Sequence, residues 1–180
     1  MKDIAFTKAI ERATLQLTKG VFVTAGRMAT ENIPYNGAYA GFAGPNTMTV
    51  GWGGLNYYWA KPFFVAPVRA SRFTYGLLLE QETFTVSVPF ADAMKEALGV
   101  CGAKSGRDTD KYALAGLTLA PGKAVATPVI EGCEIYFECI TRMKQTMEPG
   151  AVPTDVKEKF YGNDDWHTLF YGEIAACYEG

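Results

Sequence analysis

The chain has 180 residues, 48% of them hydrophobic and 20% charged, with a formal net charge of −2. That length favours one domain spanning residues 1–180, with enough apolar content for a core that needs no disulfide or metal staple. The charge balance argues against a general nucleic-acid binder, which carries a basic excess, and no apolar run approaches the roughly 18 residues of a membrane span.

Ile4, Ala5, Ala9, Ile10, Ala13 and Leu17 recur near a 3.6-residue period and predict a helix over 4–18, which Gly20 stops. The start lacks an apolar h-region, so no signal peptide is expected. Val21-Phe22-Val23-Thr24 is strand-like. Residues 29–45 hold Pro34, Gly37, Gly41, Gly44 and Pro45 and read as a long loop of the kind that is often functional. A strand is expected over 47–52. Another is expected over 63–69, where Pro67 suggests an edge or irregular position. Ser71 is placed to cap a helix over 72–80. Residues 84–88 alternate as a strand, a helix follows over 91–98, and Asp108 or Asp110 caps a short helix that ends near Gly116. Strands over 135–140 and 168–174 flank a short surface helix at 153–160. Strands without regularly alternating helices favour an antiparallel barrel with peripheral helices: mainly β, with some α.

Several chemistries are excluded. Gly51-Trp52-Gly53-Gly54 does not complete a GxGxxG, since Asn56 stands at the third glycine. Gly122-Lys123 has no Walker A spacing, and no GxSxG elbow is present. One histidine, His167, makes a catalytic zinc improbable, and no metal site is expected. Cys101, Cys133, Cys139 and Cys177 form no CxxC pair and read as reduced thiols in a cytoplasmic protein.

Two segments stand out. Arg69-Ala70-Ser71-Arg72-Phe73-Thr74 and Lys104-Ser105-Gly106-Arg107-Asp108 each join cations, hydroxyls and small residues, and each leads toward a helix. Helix starts present unpaired N–H groups and a positive dipole end, and Arg and Lys add charge suited to phosphate. A phosphorylated ligand is one reading. A pair of solvated basic turns is the other.

The order of motifs carries more. Asn46-Thr47-Met48-Thr49 precedes the SRFT segment. Then come Phe84-Thr85-Val86-Ser87-Val88-Pro89, the Cys101-Gly102-Ala103-Lys104-Ser105-Gly106-Arg107-Asp108…Asp110-Lys111 block, and His167-Thr168-Leu169-Phe170-Tyr171-Gly172-Glu173-Ile174. Over about residues 20–178 this resembles the flavin reductase-like family of FMN-binding split-barrel proteins, including flavoredoxin-type proteins. The resemblance implies a six-stranded antiparallel Greek-key split barrel, a cytoplasmic homodimer and one FMN per subunit. It places Asn46, Thr47, Met48 and Thr49 beside the flavin ring. Ser71, Arg72 and Thr74 fall at the phosphate, with Lys104 and Ser105 closing on it, and Arg69 is among the cofactor contacts. Ser87 falls among the cofactor contacts, and Cys101, Gly102 and Ala103 near the ring or ribityl chain. His167 would face a pocket for the nicotinamide of NADH or NADPH.

Two functions stay open. One is an NAD(P)H:flavin oxidoreductase that passes electrons to a flavin, a redox partner protein such as a monooxygenase component, or a small molecule. The other is an electron carrier with tightly bound FMN and no productive nicotinamide site. The extended segment at 29–45 is a candidate cover for the flavin, that at 143–166 is a lid, a dimer arm or plain surface, and Trp52, Tyr57, Tyr58 and Trp59 read as core or dimer packing ahead of the alternative of lining the pocket.

Overall fold

The computed structural model describes residues 2–28, 44–90 and 92–180. The long loop expected over 29–45 lies almost wholly outside them. Helix α1 (Phe6–Leu17) turns Ala9, Ala13, Gln16 and Leu17 inward, the i, i+4 stripe that its periodicity predicts. Strand β2 (Val21–Ala25) follows and is buried throughout. Val21 and Val23 face one core cluster and Phe22 the other, so a strand covered on both faces need not alternate in polarity.

The remaining main strands are β3 (Asn46–Val50), β4 (Gly54–Tyr58), β5 (Lys61–Arg69), β6 (Thr83–Val88), β9 (Ile135–Thr146) and β10 (His167–Glu179). They form one antiparallel sheet in the order β3-β2-β6-β9-β10-β5-β4, with the short β1 (Lys2–Asp3) pairing the far end of β10. The six strands from β3 to β5 make the barrel, and the pairings β2–β6, β6–β9 and β10–β5 skip sequence neighbours. β3 and β5 approach each other without a ladder between them, and this is the split.

The sequence explains where the split lies. Pairing with β4 ends at Val65, and Pro67 follows, a residue with no N–H to offer a neighbour. Pro62, at the other end, lies beyond the pairing with β10. Each proline therefore has a ladder partner on one side only, which is how a strand inside the sheet tolerates both. Gly53 (φ +108) carries the chain across the gap, where a Cβ would collide with the Val65 carbonyl.

Phe64, Ala66, Val68, Phe84, Val86, Phe137 and Phe170 fill the barrel, and helix α2 (Phe73–Glu80) closes one end with Leu77 and Leu78. Helix α3 (Lys95–Ala103) covers the outer face over Phe22, Tyr136 and Tyr178. It starts four residues later and runs five residues further than the 91–98 expected, because Gly99 and Gly102 do not stop a helix whose Leu98 and Cys101 are buried. Helix α4 (Lys111–Ala115) is capped by Asp110 and ended by Gly116 in the left-handed region. A hairpin of β7 (Leu119–Ala120) and β8 (Val129–Ile130) was not legible in the sequence. Its loop wraps the buried Glu138 carboxylate, which accepts the N–H groups of Lys123, Ala124 and Val125 and the Tyr178 hydroxyl.

Helix α5 (Thr154–Phe160) lies between β9 and β10. All four cysteines are free thiols, three of them buried. Tyr57 and Trp59 project from the β4–β5 hairpin at 67% and 66% exposure, so neither is core in this chain.

Candidate functional site

The two basic segments meet. The start of α2 and the loop after α3 form the walls of a cleft of about 110 Å3 whose floor is β3, and Ser71, Arg72, Thr74, Cys101, Gly102, Ala103, Lys104 and Ser105 all line it with Asn46 and Met48. Gly106 makes the closure possible, since a Cβ there would strike Asn46 Oδ1 and the Phe73 ring.

Four cations line this cleft: Arg72, Lys104, Arg107 and Lys111. No carboxylate does. Among the described residues none of the four is in an ion pair. Three of them donate to main-chain carbonyls: Arg72 to Gly102 (3.2 Å), Arg107 to Ser71 (3.0 Å) and Lys111 to Thr47. Carbonyl dipoles position a cation without neutralising it, so the cleft keeps a strong attraction for anions. Lys111 is the buried member, and desolvation pushes its ammonium down to about 8; the nearby Cys101 opposes this and Arg72 adds to it. Burial raises the Cys101 thiol, with Lys111 acting the other way, so Cys101 is a small neutral wall residue.

The start of α2 differs from expectation. Its N-cap is Arg72, in extended conformation and without a side-chain cap bond. Ser71 is one residue too early, and Asp165 takes its side chain: Ser71 Oγ donates to Asp165 Oδ2 at 2.6 Å, and Ser71 N–H to Oδ1 at 3.1 Å. Its hydroxyl proton is therefore turned from the cleft. Thr74 is better disposed. It accepts from Asn46 Nδ2 at 2.7 Å and keeps its own proton to donate.

On β3, the Thr47 hydroxyl joins Thr24 (2.8 Å) and Tyr112 (3.0 Å), and Thr49 Oγ1 donates to the Leu98 carbonyl (2.6 Å). What β3 offers a ligand is the Asn46 and Met48 side chains and its backbone edge, since it pairs with β2 alone among the described strands.

Met48 and Arg72 also line a second pocket, of about 210 Å3, which opens in the split itself between Thr49–Trp52 and Pro67, Arg69 and His167. The Trp52 ring lies 5.2 Å from both Phe160 and His167. His167 is 7% exposed, and its Nδ1 meets the Tyr161 hydroxyl at 2.8 Å. Burial, then the Arg69 charge, pushes it down to about 4, so the imidazole is neutral near pH 7.

Two expected ligands are elsewhere engaged. Arg69 donates to the carbonyls of Asp165 (2.7 Å) and Phe160 (2.8 Å), which staples residues 160–165 to the barrel, so it borders the second pocket and not the basic cleft. Ser87 lines neither: it sits inside the sheet on β6, and its hydroxyl accepts the Ile130 N–H at 3.0 Å. Conversely, Arg107 and Lys111 belonged to the basic block without being singled out, and Trp52 looked like packing. Asp165 reads in the sequence as one of two solvated turn carboxylates before His167, and Tyr161 carries no signal, because only the return of the chain after α5 brings them to β5 and α2. A larger cavity of about 600 Å3 shares no lining residue with either pocket, and the Arg12 that lines it is paired with Glu134 and Glu179.

No helix among the described residues is long and apolar enough to cross a membrane. The fold is similar to that of flavoredoxin of Desulfovibrio vulgaris (Miyazaki F), at 23% identity over 89% of this chain and 69% of that one, TM-score 0.62. It is similar to an FMN-binding protein from Thermus thermophilus with bound 1-cyclohex-2-enone, at 22% identity over 89% and 69%, TM-score 0.63. It is also similar to an NADH:FAD oxidoreductase of Streptomyces globisporus C-1027, at 18% identity over 100% and 87%, TM-score 0.59. The flavin reductase like domain model matches residues 23–180, and with that match the split barrel and its basic cleft have a family: the chain belongs to the flavin reductase-like proteins.

Proposed function

We propose that this chain binds FMN and acts as an oxidoreductase, with NADH or NADPH as electron donor and a flavin, a partner protein or a small molecule as acceptor. One observation carries the reading: four cations converge on a cleft that holds no carboxylate, at the uncapped start of a helix. A phosphate dianion fits such a place. The second pocket continues from the cleft through Met48 and Arg72, as a ligand with a charged tail and a flat ring requires.

Arg72, Thr74, Lys104, Arg107 and Lys111 would hold the phosphate, and Cys101–Ala103 would flank the linking chain. Asn46, Met48 and the β3 edge would meet the ring. FMN, when bound, supplies the hydride chemistry. The chain's residues bind and orient it, and Trp52, Phe160 and His167 limit water at the split. We read residues 1–180 as one domain of a cytoplasmic homodimer, with the exposed Tyr57–Trp59 hairpin as a candidate dimer surface. The neutral imidazole of His167 at that pocket, a polar group for a donor to meet, supports the enzyme. The similarity to flavoredoxin supports the second reading, an electron carrier.

The test is spectroscopic. Purified protein titrated with FMN should show a bound-flavin spectrum, and anaerobic NADH or NADPH should bleach it. No binding at micromolar FMN would overturn both readings, and binding without bleaching by either nucleotide would leave the carrier.

A further inference from the structure

Tyr161 has no part in holding a phosphate or a ring, yet it is 5% exposed and fixed from three sides. Its ring stacks on Trp166 at 4.2 Å and 8°, the Arg69 guanidinium lies 5.1 Å from its centroid, and its hydroxyl reaches His167 Nδ1 at 2.8 Å. The hydroxyl has one proton and two neighbours that accept, Nδ1 and the Met147 sulfur at 3.2 Å. A ring nitrogen is much the stronger acceptor, and thioether sulfur a weak one.

We propose that Tyr161 is a positioning residue: its O–H donates to Nδ1 of His167 and fixes the imidazole with its proton on Nε2, so that the pocket in the barrel split presents a neutral N–H donor. The group such a donor selects is an uncharged hydrogen-bond acceptor, above all the carbonyl oxygen of a carboxamide or an enone. The matching of that carbonyl to a redox partner of the flavin rests on the function proposed above. The tautomer does not, because it is a property of the unliganded chain.

Two more features support the assignment. Burial keeps the ring neutral, so a single tautomer has to be chosen. The backbone of His167 is also held, by pairing opposite Arg69 and by the Met147 N–H at 2.9 Å on its carbonyl, so the ring's starting point is set by the sheet.

His167 is the sole histidine, so 15N-histidine labelling gives one unambiguous pair of ring-nitrogen signals. In flavin-free protein between pH 5.5 and 8, the expected result is a pyrrole-like Nε2 and a pyridine-like Nδ1. Tyr161→Phe keeps the stacked ring and removes the donor, and the two nitrogens should then move toward averaged shifts as both tautomers populate. Met147→Leu should leave the wild-type pattern unchanged. A protonated Nδ1 in the wild type overturns the proposal whether or not a variant folds. So does an unaltered single tautomer in Tyr161→Phe, or a tautomer reversal in Met147→Leu. Flavin absorbance, measured separately, shows whether the FMN reading has failed instead.

Discussion

The Lys111 ammonium is buried against the carbonyl of Thr47, and no carboxylate lines the cleft around it. A buried cation left with a carbonyl as its partner costs stability that a bound anion recovers. This pairing joins the start of α4 to β3, the floor of the cleft.

Lys111→Met should therefore weaken FMN binding by about 1–3 kcal/mol, the scale of a charge-assisted contact, while leaving the unliganded protein as stable as before or more so. Isothermal titration and urea denaturation read the two effects separately. A variant with unaltered affinity places the phosphate elsewhere.

The same lysine predicts a pH dependence. Its ammonium titrates near 8 in the free protein against 10.5 ordinarily. At this group the unfolded chain thus binds more protons between those values, so the lysine's own contribution to unliganded stability should rise with pH through that window, read as wild type minus Lys111→Met because the buried thiols Cys133, Cys139 and Cys177 pull the other way in both. FMN favours the charged form, so its dissociation constant should rise above about pH 8. The affinity trend should vanish in Lys111→Met.

Arg72→Ala and Lys104→Ala should each weaken FMN binding by about 1–3 kcal/mol. Ser71→Ala should matter less than Thr74→Ala, since the Ser71 proton goes to Asp165 and the Thr74 proton is left for the cleft. The reverse order in a fluorescence titration would show that Asp165 releases Ser71 when flavin binds.

His167 has a folded-state value of about 4 against 6.5 ordinarily. The unfolded chain again binds more protons in between, so stability should fall as pH drops from 6.5 toward 4, by about 2 kcal/mol. His167→Gln should flatten that part of the curve in denaturation at a series of pH values.

Glu138→Gln should lower stability by about 3 kcal/mol, because Oε1 accepts from Lys123 N–H and the Tyr178 hydroxyl and Oε2 from Ala124 and Val125 N–H, so an amide nitrogen at either place would face two donors. The urea midpoint should fall while FMN affinity stays close to wild type.

Much of this molecule was written locally. The period of Ile4–Leu17, the alternation of residues 84–88 and the Asp110 and Gly116 signals fix α1, β6 and the limits of α4, because each depends on neighbours within a turn or a pleat. The residue types in SRFT and CGAKSGRD also carried their own chemistry, and these segments do form two walls of one cleft. Whether their groups are available was decided elsewhere. The Ser71 hydroxyl donates to Asp165, 94 positions away, and Arg69 donates to the carbonyls of Phe160 and Asp165. Ser87 turned toward Ile130, and Lys111 became part of the cleft only when α4 docked on β3. A side chain's chemistry is a property of its residue. Which partner it meets is set by long-range strand pairing and helix docking, and no local pattern encodes that.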